Sequence, residues 1–473
     1  MPPFLPLELI EEILRHLTDP TVDGPALARC SLVSHDFRAL AQKLLFTSIS
    51  LNSLKWEGIR HLVDVLKISA PELAQYTKAL QLGNPREIQE GRGEQVLTEG
   101  EQDDLIAELM GLLPNLRKLS FCAKFAKWES LGPGVREAIE ALFNGCSTRQ
   151  VETLELNSLF LLPPTLFLFS TSLKTLIIGN ATFDYSSPFS PKSFIEANAE
   201  ESRVVLRLQH FQYRNPNIRN RLVALDPTIF SELKTLRMRL HLDDSVQPED
   251  TKFLLESCSN TLTTLDVEWS ALAVAVMPGG RGYSYFPFDS YGSNSTVSAL
   301  PNLQGLKNLT TLTLRTLSRC SLRSVPPASH IQAGKYNFAL IFDCLKTITP
   351  SCPLSTIELV ISSILHSQTD HLDVGSGHSV VYPGAEQHWA NLDTLLSNQE
   401  LYPRLKKVIV DMAVNVGPGL ASTRGREGGI SNKDELRKAV ATTNDLLPRL
   451  SKQIRVVQYV SIADETRADC EAA

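Results

Sequence analysis

The sequence has little of what marks secreted, membrane-spanning or general nucleic-acid-binding proteins. Its 473 residues carry a formal net charge of -6, so the broad basic surface of a nucleic-acid binder is not indicated. Its eight cysteines form no C-x-x-C pair, and no apolar run approaches the length of a membrane span. The first residues include Glu8, Glu11 and Glu12 instead of the basic start of a signal peptide. We therefore expect a protein of the cytoplasm or nucleus with reduced thiols.

Signatures of catalysis and of cofactors are also scarce. One region gathers several possible metal ligands, which are His366, His371, His378, His388, Asp370 and Asp373. Their spacing matches no common zinc pattern, so we expect a solvated polar insertion and no metal. The glycines near Ser379 and in residues 415–432 complete neither a nucleophile elbow nor a phosphate-binding loop. We predict a non-catalytic protein without a cofactor.

The final residues, "CEAA", formally resemble a lipidation signal at Cys470. Glu471 and Ala472 are poor aliphatic positions, and the preceding stretch is acidic. A single lipid without a second signal anchors a protein weakly in any case. We expect no membrane partner, although the sequence alone leaves lipidation of Cys470 open.

The stretch "LPLELIEEILRHL", residues 5–17, predicts an amphipathic helix. Pro6 suits a first helical turn, and five apolar residues fall in an arc of about 140°. These are Leu9, Ile10, Ile13, Leu14 and Leu17. A second helix is predicted around residues 26–33 and a third over residues 35–45, capped by Ser34. Three such short helices bury too little surface to be stable alone, so they must dock on the remaining chain, on a partner, or on both.

This stretch, followed by "ALARCSLVSHDFRALAQKLLF", resembles an F-box over residues 3–48. The matching positions are Leu5-Pro6, Leu9, Ile13-Leu14, Leu17, Leu32-Val33-Ser34 and Phe37, where the family usually has tryptophan. The alternative is a helical cap on a larger domain. The resemblance implies binding to the adaptor Skp1, and through it to a cullin–RING ubiquitin ligase, without chemistry of its own. It makes the following residues candidates for the Skp1 face or its support: Leu5, Pro6, Leu9, Ile10, Ile13, Leu32, Val33 and Phe37.

Along the remaining chain a strand-like motif recurs, of the form apolar-x-x-apolar-x-apolar. It begins at Leu116, Val151, Leu173, Leu208, Leu233, Leu262, Leu309, Leu354 and Leu405, with weaker copies at Thr77 and Ile454. Helical stretches lie between many copies, which is typical of a leucine-rich repeat. The spacing between copies is irregular, so the alternative is a two-layer α/β domain whose strands merely look alike. We predict an α/β fold: a three-helix F-box followed by an irregular leucine-rich-repeat-like solenoid.

The predicted organisation has three parts. The F-box covers residues 3–48, the repeat array residues 49–463, and a C-terminal tail residues 464–473. Insertions are expected at residues 85–104, 277–302 and 415–432, from their polar or glycine-rich composition. The second of these carries five aromatic residues, which either contact a partner or pack on the array.

Residues that flank the central apolar position of each motif should share one face of the sheet, because strand side chains alternate. This predicts a substrate-facing row comprising Glu155, Asn157, Gln212, Arg214, Arg237, Arg239, Asp266, Glu268, Thr313, Arg315, Glu358 and Asp411. Its charges are mixed, so they either bind a partner or pair with one another. The sequence thus predicts a substrate-recognition subunit of an Skp1–cullin–F-box ligase, with an unknown protein substrate. The alternative is an interaction scaffold of the same architecture outside any ligase.

Overall fold

The helices and strands follow the alternation of apolar and polar residues along the chain. The computed structural model describes residues 6–17, 24–51, 54–83, 98–143, 150–163, 166, 170, 172–179, 206–213, 227–241, 248–272, 301–321, 340–366, 386–416 and 447–464. The chain divides into two units, Met1–Ile229 and Phe230–Ala473, which are described here one at a time.

Unit 1 begins with helices and continues into a parallel sheet. Its helices are α1 (Leu7–Arg15), α2 (Gly24–Cys30), α3 (His35–Leu45), α4 (Trp56–Asp64), α5 (Glu99–Leu112) and α6 (Pro133–Phe143). Its strands are β1 (Ser48–Ser50), β2 (Ala79–Gly83), β3 (Lys118–Lys127), β4 (Thr153–Phe160), β5 (Thr175–Ile178) and β6 (His210–Tyr213). Each of these strands pairs in parallel with the next one along the chain.

Unit 2 repeats this arrangement. Its strands are β7 (Thr235–His241), β8 (Thr264–Leu272), β9 (Thr311–Ser321), β10 (Thr356–His366), β11 (Lys407–Val416) and β12 (Arg455–Asp464). They too pair in parallel and in chain order. The helices between them are α7 (Pro248–Ser257), residues 340–346, and α8 (Glu386–Leu396). Strand and helix therefore alternate along both units, and the protein is a mixed α/β structure with parallel strands.

The strand motif predicted β2 to β12, since each of its eleven copies leads into one of these strands. β1 was not predicted, because "SIS" offers a single apolar residue, Ile49. The apolar residues of neighbouring strands lie in register and are buried. In unit 1 this row is Ile49, Leu80, Leu119, Leu154, Leu176 and Phe211, and in unit 2 it is Leu236, Leu265, Leu312, Ile357 and Val408. Alternate residues make up the opposite, polar face of each sheet.

A hydrogen-bond pattern recurs where each strand begins, and we call it the carbonyl ladder. One carbonyl accepts the amides of two successive residues on the next strand, as Lys78 does from Arg117 and Lys118, both at 2.8 Å. The carbonyls that accept such pairs are Thr47, Lys78, Arg117, Glu152 and Lys174 in unit 1, and Lys234, Thr263, Thr310 and Ser355 in unit 2. The same local geometry therefore starts nearly every strand.

Buried aspartates join consecutive helical segments in both units. Asp103 of α5 accepts hydrogen bonds from the amides of Gly134 (2.6 Å) and Val135 (2.9 Å), in the first turn of α6. Asp393 of α8 accepts from the amides of Arg449 (3.0 Å) and Leu450 (2.9 Å) in the same manner. These amides have no partner within their own helical turn, so each carboxylate satisfies two otherwise unpaired donors.

Several predicted boundaries are wrong. The second helix ends at Cys30 and not at residue 33. Residues 99–104 of the expected insertion at 85–104 belong to α5, because Thr98 and Glu101 form a capping box that starts this helix. Residues 415 and 416, expected to open an insertion, belong to β11, and Asp464, expected to open the tail, belongs to β12. The aromatic stretch 277–300 lies outside the described residues.

Candidate functional site

The three N-terminal helices pack around a small apolar core of their own. Its buried members are Ile10 and Leu14 of α1, Leu27 of α2 and Ala41 of α3. Half-buried residues surround them, namely Leu17, Cys30, Phe37, Leu40, Leu44 and Leu45. The predicted cap of α3 is confirmed, since the Ser34 hydroxyl accepts a hydrogen bond from the Phe37 amide at 3.3 Å. This core fixes where the remaining apolar side chains of the three helices lie.

The apolar side of α1 lies partly against the core of the domain and partly in solvent. Ile10 and Leu14 point into the core, with exposed fractions of 6% and 0%. Leu9 and Ile13, one helical turn apart, remain about half exposed, at 52% and 51%. The sequence placed these residues on a single arc. The structure divides them, because α2 and α3 cover only part of that arc.

The turn between α2 and α3 carries a second exposed pair. Leu32 is 78% exposed and Val33 is 68% exposed. The turn is held by backbone hydrogen bonds from Leu32 to Arg29 (3.0 Å) and from Val33 to Cys30 (3.1 Å). These two apolar side chains therefore face solvent from a well-defined backbone.

Leu9, Ile13, Leu32 and Val33 together are called the exposed quartet. In the described part of the chain six large hydrophobic residues are exposed, and four of them are these. The other two, Ile68 and Phe253, lie singly in other segments. Single exposed apolar residues are ordinary, whereas several within one small domain mark an interaction surface. Each quartet side chain would gain about 1 to 2 kcal/mol if a partner buried its exposed part.

The other four predicted docking residues fall into different settings. Pro6 is exposed at the start of α1, where its carbonyl accepts from the amides of Leu9 (3.1 Å) and Ile10 (3.2 Å). Ile10 is a core residue and Phe37 packs half-buried against that core, so both support the fold of the domain. Leu5 lies outside the described residues.

On the polar face of unit 1, Glu155 is the centre of a small network. Its carboxylate accepts hydrogen bonds from Ser120 (2.9 Å) and Asn157 (3.1 Å), and Lys118 lies 3.1 Å away. Burial raises the pKa of Glu155, but the Ser120 hydrogen bond and the Lys118 charge outweigh it, so the pKa is lowered overall. Glu155 and Asn157, both predicted to face a substrate, are thus engaged with their own neighbours.

On the polar face of unit 2, charged residues pair across strands. Arg239 of β7 donates to Glu268 of β8 at 2.7 Å. Arg315 of β9 donates from Nε to both carboxylate oxygens of Asp266, at 2.9 and 3.0 Å. Two further contacts belong to this network. Arg237 Nε lies 3.3 Å from Asp266, and the Thr313 hydroxyl donates to Glu358 at 3.0 Å. Most of the mixed charge predicted for this face therefore pairs with itself.

Asp266 is the most enclosed carboxylate of this network, with 13% of its side chain exposed. Burial raises its pKa above the ordinary value, although the charges of Arg315 and Arg237 act in the opposite direction. The guanidinium groups of Arg315 and Arg237 therefore stabilise the ionised form of the largely buried Asp266 carboxylate.

Replacing Arg315 by methionine keeps most of the packing of its stem and removes both hydrogen bonds to Asp266. We expect the free energy of unfolding to fall by about 2 kcal/mol, because a largely buried charge loses its main partner. Urea unfolding of the full chain measures this, with Lys307→Met at an exposed position as the control. An Arg315→Met change no larger than the control would show that the network does not stabilise the unit.

Asp411 of β11 stands at the end of the network without a guanidinium of its own. In register it lies beside Val360, and β9's Arg315 lies one strand further away. Burial and then the nearby charge of Glu358 raise the pKa of Asp411, while Arg315 lowers it in part. Ionising this carboxyl therefore opposes folding.

Asp411→Asn is expected to stabilise the protein at neutral pH by about 0.5 kcal/mol, since the side chain is partly solvated. An acid whose pKa rises on folding destabilises the folded state above that raised pKa. The gain should therefore vanish as the pH falls below 3.8, the ordinary value for aspartate, where both states are protonated. Melting temperatures measured between pH 3 and pH 7 test this, and a gain that persists in acid would contradict it.

The remaining substrate-facing predictions are placed as follows. Gln212 is half-buried on β6, Thr313 is buried, and Arg214 lies outside the described residues. The prediction omitted Lys118 and Ser120, although they flank the central Leu119 of their own motif and join the Glu155 network. The alternation already applied to the other motifs was the signal that would have included them.

The described residues include some of the cysteines and histidines that the sequence offers for reaction or metal binding. Burial raises the pKa of the Cys258 and Cys344 thiols to about 12, so both are protonated and unreactive at neutral pH. His366 ends β10 and His388 lies in α8, while His371, His378, Asp370 and Asp373 lie outside the described residues. Among the residues that are described, no three possible ligands come together to hold a metal ion.

The geometry thus defines a class: a mixed α/β protein with parallel strands, whose first residues form a three-helix domain with exposed apolar side chains. The family model of the F-box domain matches residues 3–49, which confirms the resemblance and shows that the chain carries an F-box. F-box domains generally bind Skp1 within Skp1–cullin–F-box ubiquitin ligases. No curated protein matches this chain. In the described part of the chain, no helix is long and apolar enough to cross a membrane.

Proposed function

We propose that this protein is the substrate-recognition subunit of an Skp1–cullin–F-box ubiquitin ligase. The observation that carries the proposal is the exposed quartet: Leu9, Ile13, Leu32 and Val33 remain exposed on a folded three-helix domain that matches the F-box. Docking on an apolar groove of Skp1 would remove these side chains from water. Pro6, exposed at the start of α1, belongs to the proposed face, and Leu5 is included in it on the resemblance to the F-box alone.

We further propose that residues 49–463 form an irregular leucine-rich-repeat-like solenoid that holds the substrate. Support comes from the parallel strands in chain order, the registered leucine rows and the carbonyl ladder, which repeat the same geometry in both units. Stacked repeats of this kind contact mainly their neighbours and offer long surfaces to protein partners.

The polar face of each unit is a proposed substrate surface, but its residues contribute unequally. Arg237, Arg239, Asp266, Glu268 and Arg315 already pair with one another, so a substrate would compete with these pairs. Among the described residues of this row, Gln212 and Asp411 are half-buried and take no part in such a pair, so a substrate could contact them without breaking one. We therefore expect substrate recognition to depend more on these two than on the paired charges.

In this role the protein supplies no chemistry and requires no cofactor. It would hold a substrate close to a ubiquitin-charged E2 enzyme and so raise the effective concentration of the substrate's lysines. The proposed location is the cytoplasm or nucleus, where Skp1–cullin complexes work.

Affinity capture from cells with the proteasome blocked tests the proposal. The intact chain should recover Skp1, cullin and ubiquitinated proteins, and the candidate substrates should accumulate when the chain is depleted. A matched variant with Leu32 and Val33 changed to glutamate should recover the same substrates without Skp1. Recovery of Skp1 with no protein that accumulates on depletion would support a scaffold outside the ligase and overturn the substrate-receptor role.

A further inference from the structure

A group of cations lies where the last two described strands begin. Its members are Arg404, Lys406, Lys407, Lys452 and Arg455, at or just before the first residues of β11 and β12. All except Lys407 are exposed. In the described part of the chain, no carboxylate forms an ion pair with any of the five. We call these residues the cation cluster.

Equivalent positions before other strands are neutral, paired, or occupied by a single exposed lysine, as at Lys78 before β2 and Lys234 before β7. Before β8, β9 and β10 they are Thr263, Thr310 and Ser355, whose hydroxyls donate to the carbonyl of the preceding strand at 3.0 to 3.1 Å. Before β3, Arg117 pairs with Glu152 at 2.5 Å. The feature particular to β11 and β12 is thus the grouping of five cations near the starts of two neighbouring strands, which the fold of the other described strands does not require.

The arrangement also opposes the stability of the strands that carry it. Lys407 and Arg455 are direct register partners on β11 and β12. Like charges directly opposite each other on neighbouring strands destabilise a sheet. A repulsion that the fold does not need is typical of a surface selected for binding.

A cavity opens between the same two segments. Its volume is about 270 Å³, and its apolar lining comes from Leu396, Tyr402, Leu405, Leu450 and Ile454. Gln399 and Gln453 add amide groups to the lining. Arg404 and Lys406 adjoin Leu405 along the chain, and Arg455 adjoins Ile454, so cations lie next to apolar lining residues on both segments. The Tyr402 hydroxyl donates to the Leu345 carbonyl at 2.9 Å and fixes one wall.

We propose that this surface binds an acidic peptide segment of a partner protein, with one apolar side chain in the cavity and flanking carboxylates on the cation cluster. The cavity is large enough for one aliphatic side chain, and the cluster supplies the complementary charge. A protein segment is favoured over nucleic acid or a lipid surface because the cluster is small and the chain as a whole is acidic, with a net charge of -6. The surface lies outside the F-box, so it operates without Skp1.

Fluorescence anisotropy with the full chain tests this, using a labelled peptide in which one leucine is flanked on both sides by aspartates and glutamates. The chain should bind it, and added salt should weaken binding. The triple variant Lys406→Glu, Lys452→Glu, Arg455→Glu should lose about tenfold or more in affinity. Its melting temperature should equal or exceed that of the parent, because the Lys407–Arg455 repulsion is removed.

The matched control reverses two exposed lysines that precede other strands, as Lys234→Glu, Lys307→Glu, and should keep full affinity. A peptide with serine in place of the leucine should bind several-fold more weakly if the cavity takes the apolar side chain. No binding of the acidic peptide, equal binding by the triple variant, or tighter binding of a single-stranded oligonucleotide or of anionic vesicles would each overturn the proposal.

Discussion

Changing Leu32 and Val33 to glutamate is expected to lower the affinity for Skp1 about a hundredfold or more. Both side chains are largely exposed in the free protein, at 78% and 68%, so the change should leave folding intact. In a complex they would carry charge into a dry apolar contact, which costs several kcal/mol per unpaired charge. Biolayer interferometry with purified Skp1 measures the loss, and circular dichroism verifies the fold.

Ile68→Glu is the matched control for this prediction. Ile68 is 72% exposed, like the quartet residues, but lies after α4 and outside the F-box. Its replacement should leave binding unchanged. A comparable loss in the Ile68 variant would show that added negative charge alone weakens the complex, and the exposed quartet would then have no special role.

Core residues of the F-box allow a loss of Skp1 contact to be distinguished from a loss of folding. Leu14 is fully buried, so Leu14→Ala should destabilise the three-helix domain by about 3 kcal/mol and weaken Skp1 binding only through unfolding. A glutamate at Leu9 or Ile13 should instead weaken binding at unchanged stability. This separation between support and contact is what the burial of Ile10 and Leu14 predicts.

The second large effect is expected at Asp103, where alanine should reduce the free energy of unfolding by about 2 kcal/mol. Its carboxylate accepts hydrogen bonds from two amides at the start of α6. Removing the carboxylate leaves both amide donors unpaired in a largely buried environment. The packing is close, since a Cβ added at Gly132 would overlap the Asp103 carboxylate. Thermal and urea unfolding of the full chain measure the effect.

Asp104→Ala provides the comparison for Asp103, because the neighbouring Asp104 is exposed and caps nothing among the described residues. It should change stability by less than about 0.5 kcal/mol. In unit 2, Asp393→Ala should resemble Asp103→Ala, since Asp393 holds two amides in the same way. Equal effects at Asp103 and Asp104 would contradict the role assigned to the buried caps.

The strands were predictable because each depends on a short apolar alternation within its own motif. Leu236 and Met238 on β7, for example, predict a strand with one buried face whatever lies beside it. The start of α5 was equally readable, from Thr98 and Glu101, but the polar composition before it was given more weight. The F-box was recognisable because its residues recur in a fixed order within one short segment.

The sequence did not predict which apolar residues of the F-box are exposed for contact with Skp1 and which are buried and support the fold. Leu9 and Ile10 are adjacent and equally apolar, and only the packing of α2 and α3 decides that one is exposed and the other buried. Pairing of the charges of unit 2 with one another was one of the two alternatives left open by the sequence, but the individual partners were not predictable, since Arg315 and Asp266 are 49 residues apart. Register makes Glu268 the direct neighbour of Arg315, yet the guanidinium bonds diagonally to Asp266.

The most direct test of the central claim is hydrogen exchange of the full chain with and without Skp1. We expect protection confined to the F-box, strongest in α1 and in the turn from Ser31 to Ser34, which carries Leu32 and Val33. Strands β7 to β12 should exchange at unchanged rates, because the substrate surface stays free. Protection in those strands, or no protection of the exposed quartet at saturating Skp1, would contradict the account.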